Sequence, residues 1–205
     1  MSESSSLRAD LAFISKWVGG RAHVLDLGCG DGTMLDYLQS VKGCSGYGIE
    51  IDAERIRACA RRGINVIEHD MENGLGMFGD DSFDTLLCLS SLQMMKNVEG
   101  LLKDFARVGR EAIVSFPNFA YWPHRLSILR GRMPVSSALP HDWYNTPNVR
   151  CATIRDFADL ANHVGLEVME CVALHNGKPV SFLPNVRGTL AVFRLRKKTV
   201  PSAHA

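Results

Sequence analysis

The chain has 205 residues, 46% hydrophobic and 22% charged, a balance that excludes disordered, collagen-like and coiled-coil classes and supports a core needing no disulfide or metal staple. With 23 Lys and Arg against 22 Asp and Glu the formal charge is +1, so no global field favours nucleic acid or an anionic membrane. Cys29, Cys44, Cys59, Cys88, Cys151 and Cys171 form no C-x-x-C pair and are expected as free thiols, no metal site is indicated, and without a leader-like start or long apolar run a cytoplasmic protein is expected.

Leu7, Leu11, Ile14 and Val18 recur at steps of three and four, which predicts a leading helix over 7–18, started by the serines at 4–6 and stopped by Gly19-Gly20. A strand over His23–Leu27 then enters the glycine-rich stretch 28–32, followed by a helix over Thr33–Gln39, a strand over Gly46–Ile51 and a helix over Ala53–Arg62. Strands over Asn65–His69, Phe83–Leu89 and Ala112–Phe116, with a helix over Val98–Val108, continue the alternation and predict a parallel sheet covered on both faces. Thr153 with Asp156 three residues on opens a helix over Ile154–His163. Strands over Glu167–Ala173 and Gly188–Leu195 follow, joined without a helix and therefore expected to pair antiparallel at the sheet edge. The residues at 2–6 and 199–205 are expected to fray.

Between Pro117 and Arg150 the alternation stops. Pro117, Pro123, Pro134, Pro140 and Pro147 are interleaved with Phe119, Tyr121, Trp122, Trp143 and Tyr144, and at most one short helix fits near His124–Leu129. So long an aromatic insertion in a compact domain reads as a lid or a binding surface. The expected organisation is one domain over 1–205, with a leading helix (7–18), a cofactor-binding core (20–116), the insertion (117–150) and a C-terminal helix with edge strands (151–197).

Asp26-Leu27-Gly28-Cys29-Gly30-Asp31-Gly32 lies between a strand and a helix, where glycines let the backbone turn sharply and approach a ligand. Glu50, 22 residues after Gly28 and at the end of the next strand, stands where a carboxylate accepts from ribose hydroxyls. Thr33 replaces the third small residue of a dinucleotide site, and Asp26 would repel a pyrophosphate. That carboxylate suits an ammonium or sulfonium instead, so S-adenosylmethionine or S-adenosylhomocysteine is the expected cofactor. Asp70, after the third strand, either accepts from the adenine amino group or caps the turn that follows. Cys29, Ile51 and Met71, next to these positions, and Leu89, at the end of the fourth strand, complete the candidate set of Asp26, Gly28, Gly30, Glu50 and Asp70.

From about residue 20 to 197 the chain resembles class I S-adenosylmethionine-dependent methyltransferases, with residues 24–32 matching the first motif, Gly48-Ile49-Glu50 the ribose motif, His69-Asp70 the adenine motif and Ser82-Phe83-Asp84 the entry to the fourth strand. That resemblance implies a Rossmann-like fold whose mostly parallel, seven-stranded sheet ends in an antiparallel edge hairpin. The stretches 115–119, 129–134, 143–148 and 153–157 are similar to blocks of the methionine-biosynthesis family MetW, and this narrower resemblance implies a role beside the homoserine O-acyltransferase MetX. No residue announces a catalytic base: Ser90, Ser91 and Gln93 follow the fourth strand, and His124, His141 and Tyr144 of the insertion read more readily as packing or surface residues. Met94 and Met95 are expected to fill gaps beside the cleft, Cys29 to pack behind the turn, Arg130 and Arg132 to meet solvent or an acidic partner, and Arg194 and Arg196–Lys198 to blunt an edge strand. A cofactor-binding subunit of the acyltransferase is the leading expectation; an active small-molecule methyltransferase is the alternative.

Overall fold

A computed structural model of the chain describes residues 7–198, so the expected frayed ends and the serine start of the leading helix lie outside the described residues. The leading helix α1 is Ala9–Ile14, continued by a 3-10 turn over Ser15–Trp17. Then follow β1 (His23–Leu27), α2 (Thr33–Lys42), β2 (Ser45–Glu50), α3 (Ala53–Arg61), β3 (Val66–Glu68), β4 (Phe83–Leu89), α4 (Val98–Val108), β5 (Gly109–Pro117) and α5 (Trp122–Leu129). After the insertion come α6 (Ile154–His163), β6 (Leu166–His175), β7 (Lys178–Val180), α7 (Pro184–Arg187) and β8 (Leu190–Lys197). No helix among them is long and apolar enough to cross a membrane.

The strands form one sheet in the order β3-β2-β1-β4-β5-β8-β6-β7, parallel from β3 to β5 and antiparallel beyond. This is the expected Rossmann-like methyltransferase architecture with two corrections. The sheet has eight strands rather than seven, because Asn176 (φ 49°) and Gly177 (φ 73°) make a two-residue turn that folds β7 back on β6. The last strand is not at the edge and is not reached directly: Pro184 starts the short α7, after which β8 inserts between β5 and β6. Arg194 and Arg196 therefore do not blunt an edge. Arg194 joins Glu111 and Glu170, each at 3.0 Å, and Arg196 joins Glu167 at 2.9 Å, across the neighbouring strands.

Period-two alternation divides the core between the two faces of the sheet. Ala112, Val114 and Phe116 of β5 and Ala191, Phe193 and Leu195 of β8 point to the face covered by α4 and α6, where the rings of Phe157 and Phe193 lie 4.6 Å apart. Ile113 and Val192 point to the opposite face, against Ile14 of α1 and Met34, Leu35 and Leu38 of α2. Thr153 caps α6 by accepting from the Asp156 N–H, as its spacing predicts.

The insertion is pinned at its stem. Asn118, fully buried, donates from Nδ2 to the carbonyls of Asn185 and Gly188 at 3.0 Å each and accepts from the Ala120 N–H at 3.1 Å. The Phe119 N–H reaches the Ala152 carbonyl at 3.0 Å, closing the two ends of the insertion on each other. His124 is buried, with Nε2 2.9 Å from the Ser136 hydroxyl, and burial lowers its pKa.

Candidate cofactor site

The carboxyl ends of β1, β2 and β4 open at one edge of the sheet, the usual ligand edge of this architecture. The Gly28 and Cys29 N–H groups both donate to the Ile49 carbonyl, at 2.9 and 3.0 Å, which lays the turn after β1 across the end of β2. Gly28, Gly30 and Gly32 have φ of 72°, 60° and 79°, the left-handed region. A Cβ on Gly28 would stand 2.4 Å from the Ser91 Oγ, whereas one on Gly30 would meet nothing within 4 Å. The two glycines thus serve different ends: Gly28 lets the turn lie against the loop after β4, and Gly30 leaves room above it.

Glu50 is buried at the end of β2. Its Oε2 accepts from the Gly30 N–H at 3.0 Å, its Oε1 from the Ile51 and Asp52 N–H groups at 2.8 and 3.1 Å, and the Arg55 guanidinium stands 3.8 Å away at the rim. Asp26 is 2% exposed, and among the described residues no donor reaches its side chain. Burial, aided by the nearby charge of Glu50, pushes its pKa up to about 7. Asp70 caps the 3-10 turn Met71–Asn73, accepting from the Glu72 N–H at 2.9 Å, so the capping alternative of the sequence is realised.

The candidate residues meet in two adjoining cavities. Glu50, Ile51, Asp70 and Met71 line the smaller, of about 200 Å³, with Gly28 at its boundary. Asp26, Cys29, Gly30 and Leu89 line the larger, of about 430 Å³, again with Gly28. Cys29 contributes its place in the turn while its thiol, 3.8 Å from the Cys59 sulfur, packs beneath it. Burial pushes that thiol far above its ordinary range, which removes any nucleophilic role. Met94 and Met95 line the smaller cavity.

Sequence reasoning placed Ser91 only as following the fourth strand, where the structure buries it under Gly28, and it missed Arg55, whose place one turn into α3 beside the Glu50 strand end was a usable signal. The insertion, read from the sequence as a lid or a binding surface, supplies a wall: Pro140, His141, Pro147 and Asn148 line the larger cavity, and none of them is in the candidate set. This segment is tethered at its far end by the Gln93 carbonyl, which accepts from the Val149 and Arg150 N–H groups at 3.0 Å each. Between those lining residues, Trp143 and Tyr144 stand 72% and 70% exposed, ring centroids 5.8 Å apart. Of the three possible bases in the insertion only His141 reaches the cavity; His124 is buried elsewhere, and Tyr144 turns outward.

A family model described as "Methionine biosynthesis protein MetW" matches residues 8–195. A curated relative from Rhodopirellula baltica, described as "Bifunctional methionine biosynthesis protein MetXA/MetW", is 38% identical over an alignment 175 residues long that covers 80% of this chain and 28% of that protein. The chain thus spans under a third of the relative's length. Among solved structures, a possible histamine N-methyltransferase from Thermotoga maritima superposes with a TM-score of 0.70 at 18% identity, covering 93% of this chain and 88% of that one. A 1,6-didemethyltoxoflavin-N1-methyltransferase from Burkholderia thailandensis, solved with 1,6-didemethyltoxoflavin and S-adenosylhomocysteine, gives 0.65 at 17%, covering 96% and 80%. At such identities these structures speak for the fold alone.

Proposed function

The chain belongs to the methionine biosynthesis protein MetW family, and from that membership we propose that it is an S-adenosylmethionine-binding subunit acting with a MetX-type homoserine O-acyltransferase. The observation that carries the partnership is the Rhodopirellula relative, whose description joins MetXA and MetW in one chain. Covalent linkage of two activities raises their effective concentration, which favours surfaces that work together.

The cofactor half of the reading is supported by the fit of the cleft. Asp26 is a buried carboxylate with no protein donor, and a ligand ammonium or sulfonium would supply the charge it lacks. Glu50 is aligned by three backbone N–H groups and would accept from the ribose hydroxyls, while Asp70, whose cap bond engages Oδ1 alone, would accept from the adenine amino group through Oδ2. When bound, S-adenosylmethionine would supply an activated methyl group; S-adenosylhomocysteine would fill the same cleft without one. The segment around Trp143 and Tyr144 offers the exposed aromatic pair from which a partner could gain binding energy.

A second reading, an active small-molecule methyltransferase, is favoured by one observation. A further cavity of about 420 Å³, lined by Arg8, Ser90, Gln93 and Asn176 among others, opens beside the larger cofactor cavity. It has room for an acceptor. Co-purification with the acyltransferase, and acyltransferase assays with and without this chain, test the first reading; no complex together with unchanged activity rejects it. A methylated product from metabolite extract and labelled cofactor would favour the second.

A further inference from the structure

We propose that the chain carries a second small-molecule site, for an α-amino acid with an apolar side chain, in the cavity between the first turns of α4 and α6. This inference goes beyond the cofactor reading and does not depend on it. The cavity measures about 410 Å³. Its floor is apolar: Leu92, Phe116 and Phe157 line it and are each at most 3% exposed. A hollow floored by aromatic rings gains when an apolar ligand displaces its water.

The mouth carries charges of both signs. Lys96 and Arg150 form no ion pair among the described residues; the Arg150 guanidinium donates only to main-chain carbonyls, that of Lys96 at 2.6 Å and that of Val149 at 3.4 Å. Glu99 is held through one oxygen by Lys103 at 2.7 Å, and Asp156 through one oxygen by the Thr153 hydroxyl at 2.8 Å, so each keeps a second oxygen outside those bonds. Gln93, in the same wall, buries an Oε1 with no hydrogen-bond partner.

A purely anionic ligand would face the two carboxylates, and a purely cationic one the two unpaired cations. An α-amino acid satisfies both, with its carboxylate toward Lys96 and Arg150, its ammonium toward Glu99, Asp156 or the Gln93 amide oxygen, and its side chain on the phenylalanine floor. Gln93 is the one residue that also lines the cofactor cleft; the rest of the two linings is distinct, so a ligand in one cavity does not fill the other.

Titration calorimetry of the full chain with L-norleucine tests the site, because each part of that probe can be removed singly. Hexanoate lacks the ammonium, pentylamine lacks the carboxylate and L-alanine lacks the apolar tail. The expected result is saturable norleucine binding that weakens about tenfold or more with each truncation and in both Lys96→Gln and Arg150→Gln. S-adenosylhomocysteine should neither displace the probe nor bind differently to those variants. Four results would each overturn the proposal: no saturable binding at millimolar norleucine, hexanoate or pentylamine binding as well as norleucine, wild-type binding in both cation variants, or displacement of norleucine by S-adenosylhomocysteine. If S-adenosylhomocysteine itself does not bind, the cofactor reading fails, while norleucine binding and its loss in Lys96→Gln still decide this one.

Discussion

The Gly30 N–H donates to Glu50 Oε2 at 3.0 Å, so the acid proposed for the ribose also holds the turn that would face the rest of the cofactor. Glu50→Ala should therefore fail twice. Loss of two charge-assisted bonds to the ligand costs about 2 to 4 kcal/mol, thirtyfold or more in affinity, and three main-chain N–H groups lose their acceptor, lowering the melting temperature. Calorimetry with S-adenosylhomocysteine and a thermal melt on one sample measure both; unchanged affinity in a folded variant removes Glu50 from the site.

Asp26 predicts a pH dependence. With its pKa raised to about 7, its carboxyl is largely neutral one unit below and largely ionised one unit above. A cationic ligand binds the ionised form, so affinity should rise between about pH 6 and about pH 8, with a proton released on binding near neutrality. The unliganded fold has the opposite trend. A carboxyl that holds its proton more tightly folded than unfolded contributes stability that is complete below the ordinary carboxylate range and is lost as pH climbs to about 7. Asp26→Asn should flatten both curves, gaining stability over the parent above neutrality while losing ligand affinity. Calorimetry in buffers of different ionisation enthalpy counts the proton, and a pH-independent affinity in the parent protein would contradict the assignment.

The two glycines of the turn should separate under the same substitution. Gly30→Ala adds a methyl to open space at φ 60°, so stability should fall by only about 1 kcal/mol while ligand affinity drops further. Gly28→Ala drives its Cβ to 2.4 Å from Ser91 Oγ at φ 72°, which should cost about 1 to 3 kcal/mol of stability as well. Ser91→Gly in the Gly28→Ala background should restore part of that loss, since it removes the clash and leaves the backbone strain. Chemical denaturation of the three variants checks the order.

Trp143→Ala should weaken binding to the acyltransferase by about 2 kcal/mol or more, with little change in melting temperature, because the ring is 72% exposed. Affinity for S-adenosylhomocysteine should move less than affinity for the partner. A loss confined to the cofactor would make this segment a cover of the cleft alone.

Local signals account for what the sequence revealed. β1, β4, α4 and α6 fall on their expected residues, because alternation, the Thr153 cap and uninterrupted apolar faces all act within a few residues. The position of β8 depends on which distant strands it meets, a pairing no local pattern encodes. Asn176-Gly177 was different: a two-residue hairpin signal stood in the sequence but lay next to a strand already assigned. The nine candidate site residues gather in two cavities because each lies at or just after the carboxyl end of a strand, whereas Pro140, Pro147 and Asn148 join them from a segment without periodicity. Ser91 is legible as a residue following the fourth strand, but its contact with Gly28 depends on the left-handed turn after β1.

Placing β8 between β5 and β6 also dictates an order of events during synthesis. Residues 109–117 and 166–175 leave the ribosome before 190–197, so β5 and β6 wait as two open edges for the strand that separates them. Until then Phe116 and Phe157 lack the Phe193 ring that packs against both. A nascent chain of this topology exposes unpaired main-chain groups beside unburied aromatic rings, the combination that chaperones recognise and that aggregation exploits. Premature termination before Leu190 would make that transient state permanent, even though every residue of the cofactor cleft had already been made.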